Sequence, residues 1–189
     1  ELMLPGGKGI NVSKVIDKLG GKSIAIGILG GDTGRSIQTA LKRMGLETDF
    51  CFVEGETRTN MKVIDPVNHT NTDINEPGVT VSKEILDALL DDLLEKISEG
   101  DIVVISGSMP KGSPEDTYYV WTKTCREHGA KVILDADGPL LAAGLKASPY
   151  LIKPNNHELS RLLGRPLRTT EELEREARSL MKKYGIAKV

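Results

Sequence analysis

Asp101-Ile102-Val103-Val104-Ile105-Ser106-Gly107-Ser108-Met109-Pro110 is an apolar, β-branched run that ends abruptly in small polar residues. Such a run reads as a strand buried on both faces, as in a parallel sheet. Helical spacing flanks it on both sides. In 82–97 the residues Ile85, Leu86, Leu89, Leu90, Leu93, Leu94 and Ile97 form a stripe wide enough to cover a sheet, and 115–128 repeats the pattern. Working outward, further strand runs fall at 23–29, 131–135, 150–153 and from 186 on, separated by helical patterns at 11–19, 34–44, 139–146, 156–163 and 170–184. This alternation predicts an α/β fold, a mainly parallel sheet with helices on both faces. Thr169 and Glu172 predict a capping box at the start of the last helix.

The alternation breaks once. Runs at 49–53, 58–64 and 70–74 have strand character with no helix between them, so 49–75 reads as an antiparallel β-flap, or lid, set on a core of 1–48 and 76–189.

With 189 residues the chain suits one domain around one core. Its 25 Lys+Arg against 27 Asp+Glu give a formal charge of −2, so no net positive field collects nucleic acid. Cys51 and Cys125 stand far apart with no histidine at ligand spacing, which excludes a disulfide framework and a zinc site and fits a cytoplasmic protein. No apolar run is long enough for a membrane span. Residue 1 is Glu, and the last residues read as a strand just begun, so the chain reads as a fragment.

Local chemistry therefore has to carry any anion site. Pro5-Gly6-Gly7-Lys8-Gly9-Ile10-Asn11-Val12 sets three glycines and a lysine before a helix, where bare amides and an ammonium favour an anion or a polyol; a turn needing positive φ is the plainer reading. It is no dinucleotide fingerprint, because Val12 stands where the third glycine belongs. Gly30-Gly31-Asp32-Thr33-Gly34 fails the Walker A spacing and reads as a strand-to-helix turn with Asp32 or Thr33 as N-cap. Ser106-Gly107-Ser108 lies at a strand's carboxyl end, where open α/β sheets hold ligands. In Lys153-Pro154-Asn155-Asn156-His157-Glu158 the Asn-x-x-Glu spacing serves equally for hydrated Mg²⁺ and for a capping box. Arg58, opening a flap strand, has the fork that grips phosphate, though most strand arginines are simply solvated. His69, His128 and His157 read as surface residues, and Tyr118, Tyr119 and Trp121 as packing groups.

Taken in order, Gly6-Gly7-Lys8-Gly9-Ile10-Asn11-Val12, Glu56-Thr57-Arg58-Thr59-Asn60, Thr72-Asp73-Ile74-Asn75-Glu76-Pro77-Gly78, Ser106-Gly107-Ser108-Met109-Pro110 and Ile152-Lys153-Pro154-Asn155-x-x-Glu158 resemble the ribokinase-like carbohydrate kinases of the phosphofructokinase B type. Within that family the Asn75-Glu76-Pro77-Gly78 stretch is most similar to the 1-phosphofructokinases, with tagatose-6-phosphate kinases next. The resemblance implies phosphoryl transfer from ATP, with Mg²⁺, to a hydroxyl of a phosphorylated ketohexose, fructose 1-phosphate or tagatose 6-phosphate. By the same resemblance Gly7, Lys8 and Asn11 hold the sugar, Arg58 and Ser108 its phosphate, and Lys153, Asn155 and Glu158 face the ATP phosphates and metal. It further implies a flap that shields the reaction and contributes to a homodimer.

The chain also departs from the family pattern. The late Gly-Ala-Gly-Asp motif, whose Asp is the general base, does not occur, and neither does the first strand with its sugar-binding Asp. Asp73 stands where Glu is usual and Asp137 where Ser is usual. Negligible kinase activity is expected of these 189 residues alone. A non-catalytic sugar-phosphate binding module is the alternative from another class, and a nicotinamide-dependent oxidoreductase is disfavoured at Val12.

Overall fold

In the computed structural model, which describes residues 4–189, the chain divides into two compact units. One takes in the residues up to Leu89 together with Met109–Ser113, and the other Leu90–Ser108 with Pro114–Val189. The expectation of one core is corrected here by the division into two units, whereas the expected parallel pairing holds in both: the parallel strands are distributed over two sheets, one in each unit. Periodicity marks a strand by the burial of its own side chains, whereas adjacency depends on distant residues and leaves no local trace.

The first unit opens with α1 (Lys8–Lys18), followed by β1 (Ile24–Gly30), α2 (Gly31–Arg43) and β2 (Glu47–Val53). β1 and β2 pair in parallel from Ile24 opposite Glu47 to Gly30 opposite Val53, with α2 as the crossover. Leu41 on α2 is fully buried and Ala25, Leu29 and Leu46 nearly so. The run at 49–53 is therefore no part of an antiparallel excursion. Its alternating burial suits an open antiparallel ribbon as well as a two-stranded parallel sheet, and only the pairing partner tells them apart.

The antiparallel element is the hairpin of β3 (Asn60–Asp65) and β4 (Thr70–Asn75), in register from Asn60 opposite Asn75 to Asp65 opposite Thr70. Its turn is built by Asp65, whose Oδ1 accepts from the amides of Val67 and Asn68 at 2.9 and 3.1 Å and whose Oδ2 accepts from Asn68 Nδ2 at 2.7 Å. Those bonds hold the Asp65 carboxyl below its ordinary range, the Asn68 side chain contributing most. Arg58 lies ahead of β3 rather than inside it, which corrects its expected place on a flap strand.

α3 (Lys83–Leu94) leads into the second unit, where β5 (Ile102–Ser106), α4 (Thr117–Glu127), β6 (Lys131–Asp135), α5 (Gly138–Leu145) and β7 (Leu151–Ile152) give a parallel sheet in the order β5-β6-β7. Val132, Leu134, Leu141, Leu145 and Ile152 are essentially inaccessible and form its core. α5 rides close on β6: a Cβ on Gly144 would lie 2.5 Å from Leu134 Cδ2. α6 (Asn156–Leu163) and α7 (Thr170–Tyr184) follow, α7 opening with the predicted capping box of Thr169 and Glu172. As predicted for the residues from 186 on, the chain then takes up strand pairing beside β7: Ile152 N donates to Lys188 O at 3.1 Å, and Leu151 bridges Lys188 in parallel. The three histidines are exposed, as expected.

Two buried groups on α4 tie this unit's stability to alkaline pH. Burial, aided by the Asp135 carboxylate, pushes the Tyr118 phenol from 10.0 up to about 12, and burial pushes the Cys125 thiol from 9.0 up to about 11. In the unfolded chain both ionise at their ordinary values, so their contribution is intact below pH 9 and is lost as pH rises through the folded values. For Tyr118 that rise corresponds to about 2–3 kcal/mol, lost between pH 10 and about 12. Chemical denaturation as a function of pH should show this fall, and Tyr118→Phe should flatten it above pH 10; an equally steep fall in the variant would refute the assignment.

Candidate functional site

In the first unit the glycine-rich loop runs directly into α1. Gly7 is the N-cap residue with φ 132°, a conformation that side chains rarely adopt, and it has no side chain with which to cap the helix. Lys8, Gly9 and Asn11 are exposed, and Asn11 N donates to Gly7 O at 2.9 Å. Lys14 Nζ donates to Pro5 O, folding the loop back onto the first turns of the helix. The result is an accessible helix N-terminus with a lysine at its first position, a setting that favours anionic or hydroxylated ligands.

α2 begins differently. Its N-cap is Gly30, not the predicted Asp32 or Thr33, and the capping group comes from far along the chain. Glu56 Oε1 accepts from the Asp32 amide at 3.0 Å and Oε2 from the Thr33 amide at 3.1 Å. These amides, Asp32's contributing most, hold the Glu56 carboxyl below its ordinary range against the opposing Asp32 carboxylate. Asp32 itself turns outward to Arg35, 2.7 Å away. Beside Glu56, Thr57 N donates to Gly30 O at 3.0 Å and Thr57 Oγ1 accepts from Gly30 N at 2.8 Å. Past Arg58, Thr59 N donates to Glu76 at 2.8 Å, and a Cβ on Gly78 would meet the Arg58 side chain at 3.3 Å. Glu56 and Glu76 sit inside motifs visible in the sequence, yet nothing in their spacing predicts backbone amides as their partners.

In the second unit β5 ends at Ser106, whose Oγ is buried without a hydrogen-bond partner among the described residues. Gly107, at φ 96°, donates to Asp135 O and accepts from the Tyr118 hydroxyl, both at 3.1 Å, which ties the ends of β5 and β6 to α4. Ser108 follows and is exposed. Lys153 Nζ lies 3.4 Å from Asp135 Oδ2, the carboxylate mostly buried and the lysine open to solvent. Asp137 caps α5 by accepting from Gly138 N at 2.7 Å and pairs with Arg161 at 2.5 Å.

Of the two readings open for Asn155 and Glu158, the geometry is that of a capping box: Asn155 Oδ1 accepts from Glu158 N at 2.9 Å and Glu158 Oε2 from Asn155 N at 2.8 Å. Glu158 is buried, and no group of three or more His, Cys, Asp or Glu able to hold a metal ion occurs among the described residues. This donor set does not fit a Mg²⁺ ion held by the protein alone. Of the sequence-predicted residues, Gly7, Lys8, Asn11 and Arg58 thus belong to the first unit and Ser108, Lys153, Asn155 and Glu158 to the second.

The sequence model of the pfkB family carbohydrate kinases matches residues 3–189. The chain belongs to this family. Among pfkB relatives, the 1-phosphofructokinase of Bacillus subtilis is 41% identical over 168 residues, covering 89% of this chain and 54% of its own length. That of Haemophilus influenzae is 37% identical over 187 residues, covering 99% and 59%. The crystal structure of Escherichia coli phosphofructokinase-2 in complex with fructose-6-phosphate superposes with a TM-score of 0.88 at 28% identity, covering 96% of this chain and 60% of that one. The fold is accordingly the ribokinase-like α/β fold of pfkB kinases. The chain spans little more than half the length of these relatives. No helix among the described residues is long and apolar enough to cross a membrane.

Proposed function

We propose that the protein is a cytoplasmic 1-phosphofructokinase, transferring the γ-phosphoryl group of ATP, supplied with Mg²⁺, to fructose 1-phosphate to give fructose 1,6-bisphosphate. The observation that carries this reading is the likeness, sustained over most of the chain, to relatives named 1-phosphofructokinase. Chemistry supports it. Phosphoryl transfer is mainly positioning and charge neutralisation, and the candidate residues are a glycine-opened helix with a lysine, an arginine beside a hairpin and a lysine at a strand end. Gly7, Lys8 and Asn11 hold the sugar in this proposal. Arg58 and Ser108 bind the phosphate already present, and Lys153, with Asn155 and Glu158 shaping the mouth of α6, lies on the ATP side.

The test is ATP-dependent phosphorylation by the protein at the full length of its relatives, offered fructose 1-phosphate, tagatose 6-phosphate and fructose 6-phosphate in parallel. Preference for fructose 1-phosphate is expected. Preference for tagatose 6-phosphate would move the assignment to that kinase, and binding of sugar phosphate without turnover would make the protein a binding module.

The hairpin gives a proposed self-association surface. Met61, Val63 and Ile74 share one of its faces and are each about half exposed, at 53%, 49% and 54%. An uncovered apolar face of this kind suits a second copy of the chain. Val63→Asp is expected to shift sedimentation toward monomer, while Lys62→Ala on the opposite face should leave the distribution unchanged; an unchanged Val63→Asp profile would dismiss the surface.

A further inference from the structure

Arg58 is held on both sides by fastened neighbours. Upstream, Glu56 and Thr57 together make four hydrogen bonds to the Gly30–Thr33 turn, and downstream Thr59 is bonded to Glu76. The glycines of that turn, with Gly34 just beyond it, leave space for this docking. A Cβ on Gly31 would lie 1.9 Å from Glu56 Oε1, one on Gly30 2.6 Å from Gly55 O and one on Gly34 3.1 Å from Thr57 Oγ1. Only Gly31 of the three also has positive φ, at 63°.

A helix needing only a cap would take one from its own N-terminal turn, where Ser, Thr, Asp and Asn serve well. Asp32 is present at that turn and instead pairs outward with Arg35. Taking the cap from a residue 24 positions further along does something a local cap cannot: it fixes the loop that supplies it. We propose that Glu56 is the positioning residue for Arg58, its carboxylate anchored on the first amides of α2 so that the guanidinium stands where the substrate's phosphate arrives. This rests on the reading of Arg58 as a phosphate-binding residue. The reason anchoring matters is geometric, since a misplacement of about 1 Å in a binding group is enough to cost on the order of a hundredfold in rate.

Calorimetric titration of the protein with fructose 1-phosphate tests it in four versions: wild type, Glu56→Ala, Arg58→Met and the double variant. Glu56→Ala is expected to weaken binding about tenfold, and to add nothing once Arg58 is gone, because a residue that acts only through another is coupled to it and not additive with it. Gly31→Ala, which keeps the carboxylate but fills its place, should reproduce the Glu56→Ala loss. Equal losses from Glu56→Ala in both backgrounds, or wild-type affinity in Glu56→Ala while Arg58→Met fails, would overturn this inference and leave the phosphate reading of Arg58 intact. Wild-type affinity in Arg58→Met would overturn that reading and this inference with it. Hydrogen exchange reads the anchoring without ligand: the Thr57 and Thr59 amides should exchange about tenfold faster in Glu56→Ala, and unchanged rates would refute the anchor.

Discussion

Arg58→Met is expected to weaken binding of fructose 1-phosphate by roughly ten- to a hundredfold, the equivalent of the about 1.5–3 kcal/mol that hydrogen bonds to a charged group contribute. Methionine keeps most of the side chain's length and its apolar stem, the part that a Cβ on Gly78 would meet, so the guanidinium is what is lost. Unphosphorylated fructose provides the control, because a residue that reads phosphate should leave its affinity unchanged. Arg58→Lys should fall between the two proteins, retaining charge but not the planar fork. Equal affinity of wild type and Arg58→Met for the phosphorylated sugar would remove Arg58 from the site.

The largest stability effect is expected at Leu134, in the middle strand of the β5-β6-β7 sheet and inaccessible to solvent. Leu134→Ala removes three buried carbons and leaves a cavity, which costs about 2–5 kcal/mol. Against a total stability of about 5–15 kcal/mol for an ordinary domain, that is a large share. Ile102→Ala on β5, 64% exposed, should stay within about 0.5 kcal/mol of wild type. The neighbouring glycine supplies an internal check. A methyl at Gly144 crowds Leu134 in the wild type but points into the space that Leu134→Ala opens. Gly144→Ala should therefore destabilise the wild type and be milder, or favourable, in the Leu134→Ala background. Thermal or denaturant melting of the four proteins decides it, and strictly additive changes would contradict the packing described.

How much of this was legible beforehand follows from what each signal encodes. The helices and parallel strands were readable because their apolar residues recur at their own period, and the α7 capping box because Thr169 and Glu172 are three apart. Pairing was not. The run at 49–53 has the same local character whether it joins β1 in parallel or starts a meander, and the two sheets are told apart only by contacts distant in sequence. For the candidate site, the glycine loop, Arg58 and Lys153 stood out by residue type. The spacing of Asn155 and Glu158 suited two chemistries equally, and the geometry is that of the box. Glu56 lies within the Glu56-Thr57-Arg58-Thr59-Asn60 motif, yet its role is not legible there, because an acceptor whose donors are backbone amides leaves no signature in side-chain identity.

The carboxylate lodged at the start of α2 also shapes what the rest of that unit presents to a passing ion. Both of its helices that follow glycine turns begin with an electropositive mouth, but one is already stoppered from within, so a drifting anion meets oxygens there rather than N–H groups. A decoy landing place is thereby removed from the unit, while α1 is entered from Gly7, a residue with no side chain of its own to close the mouth.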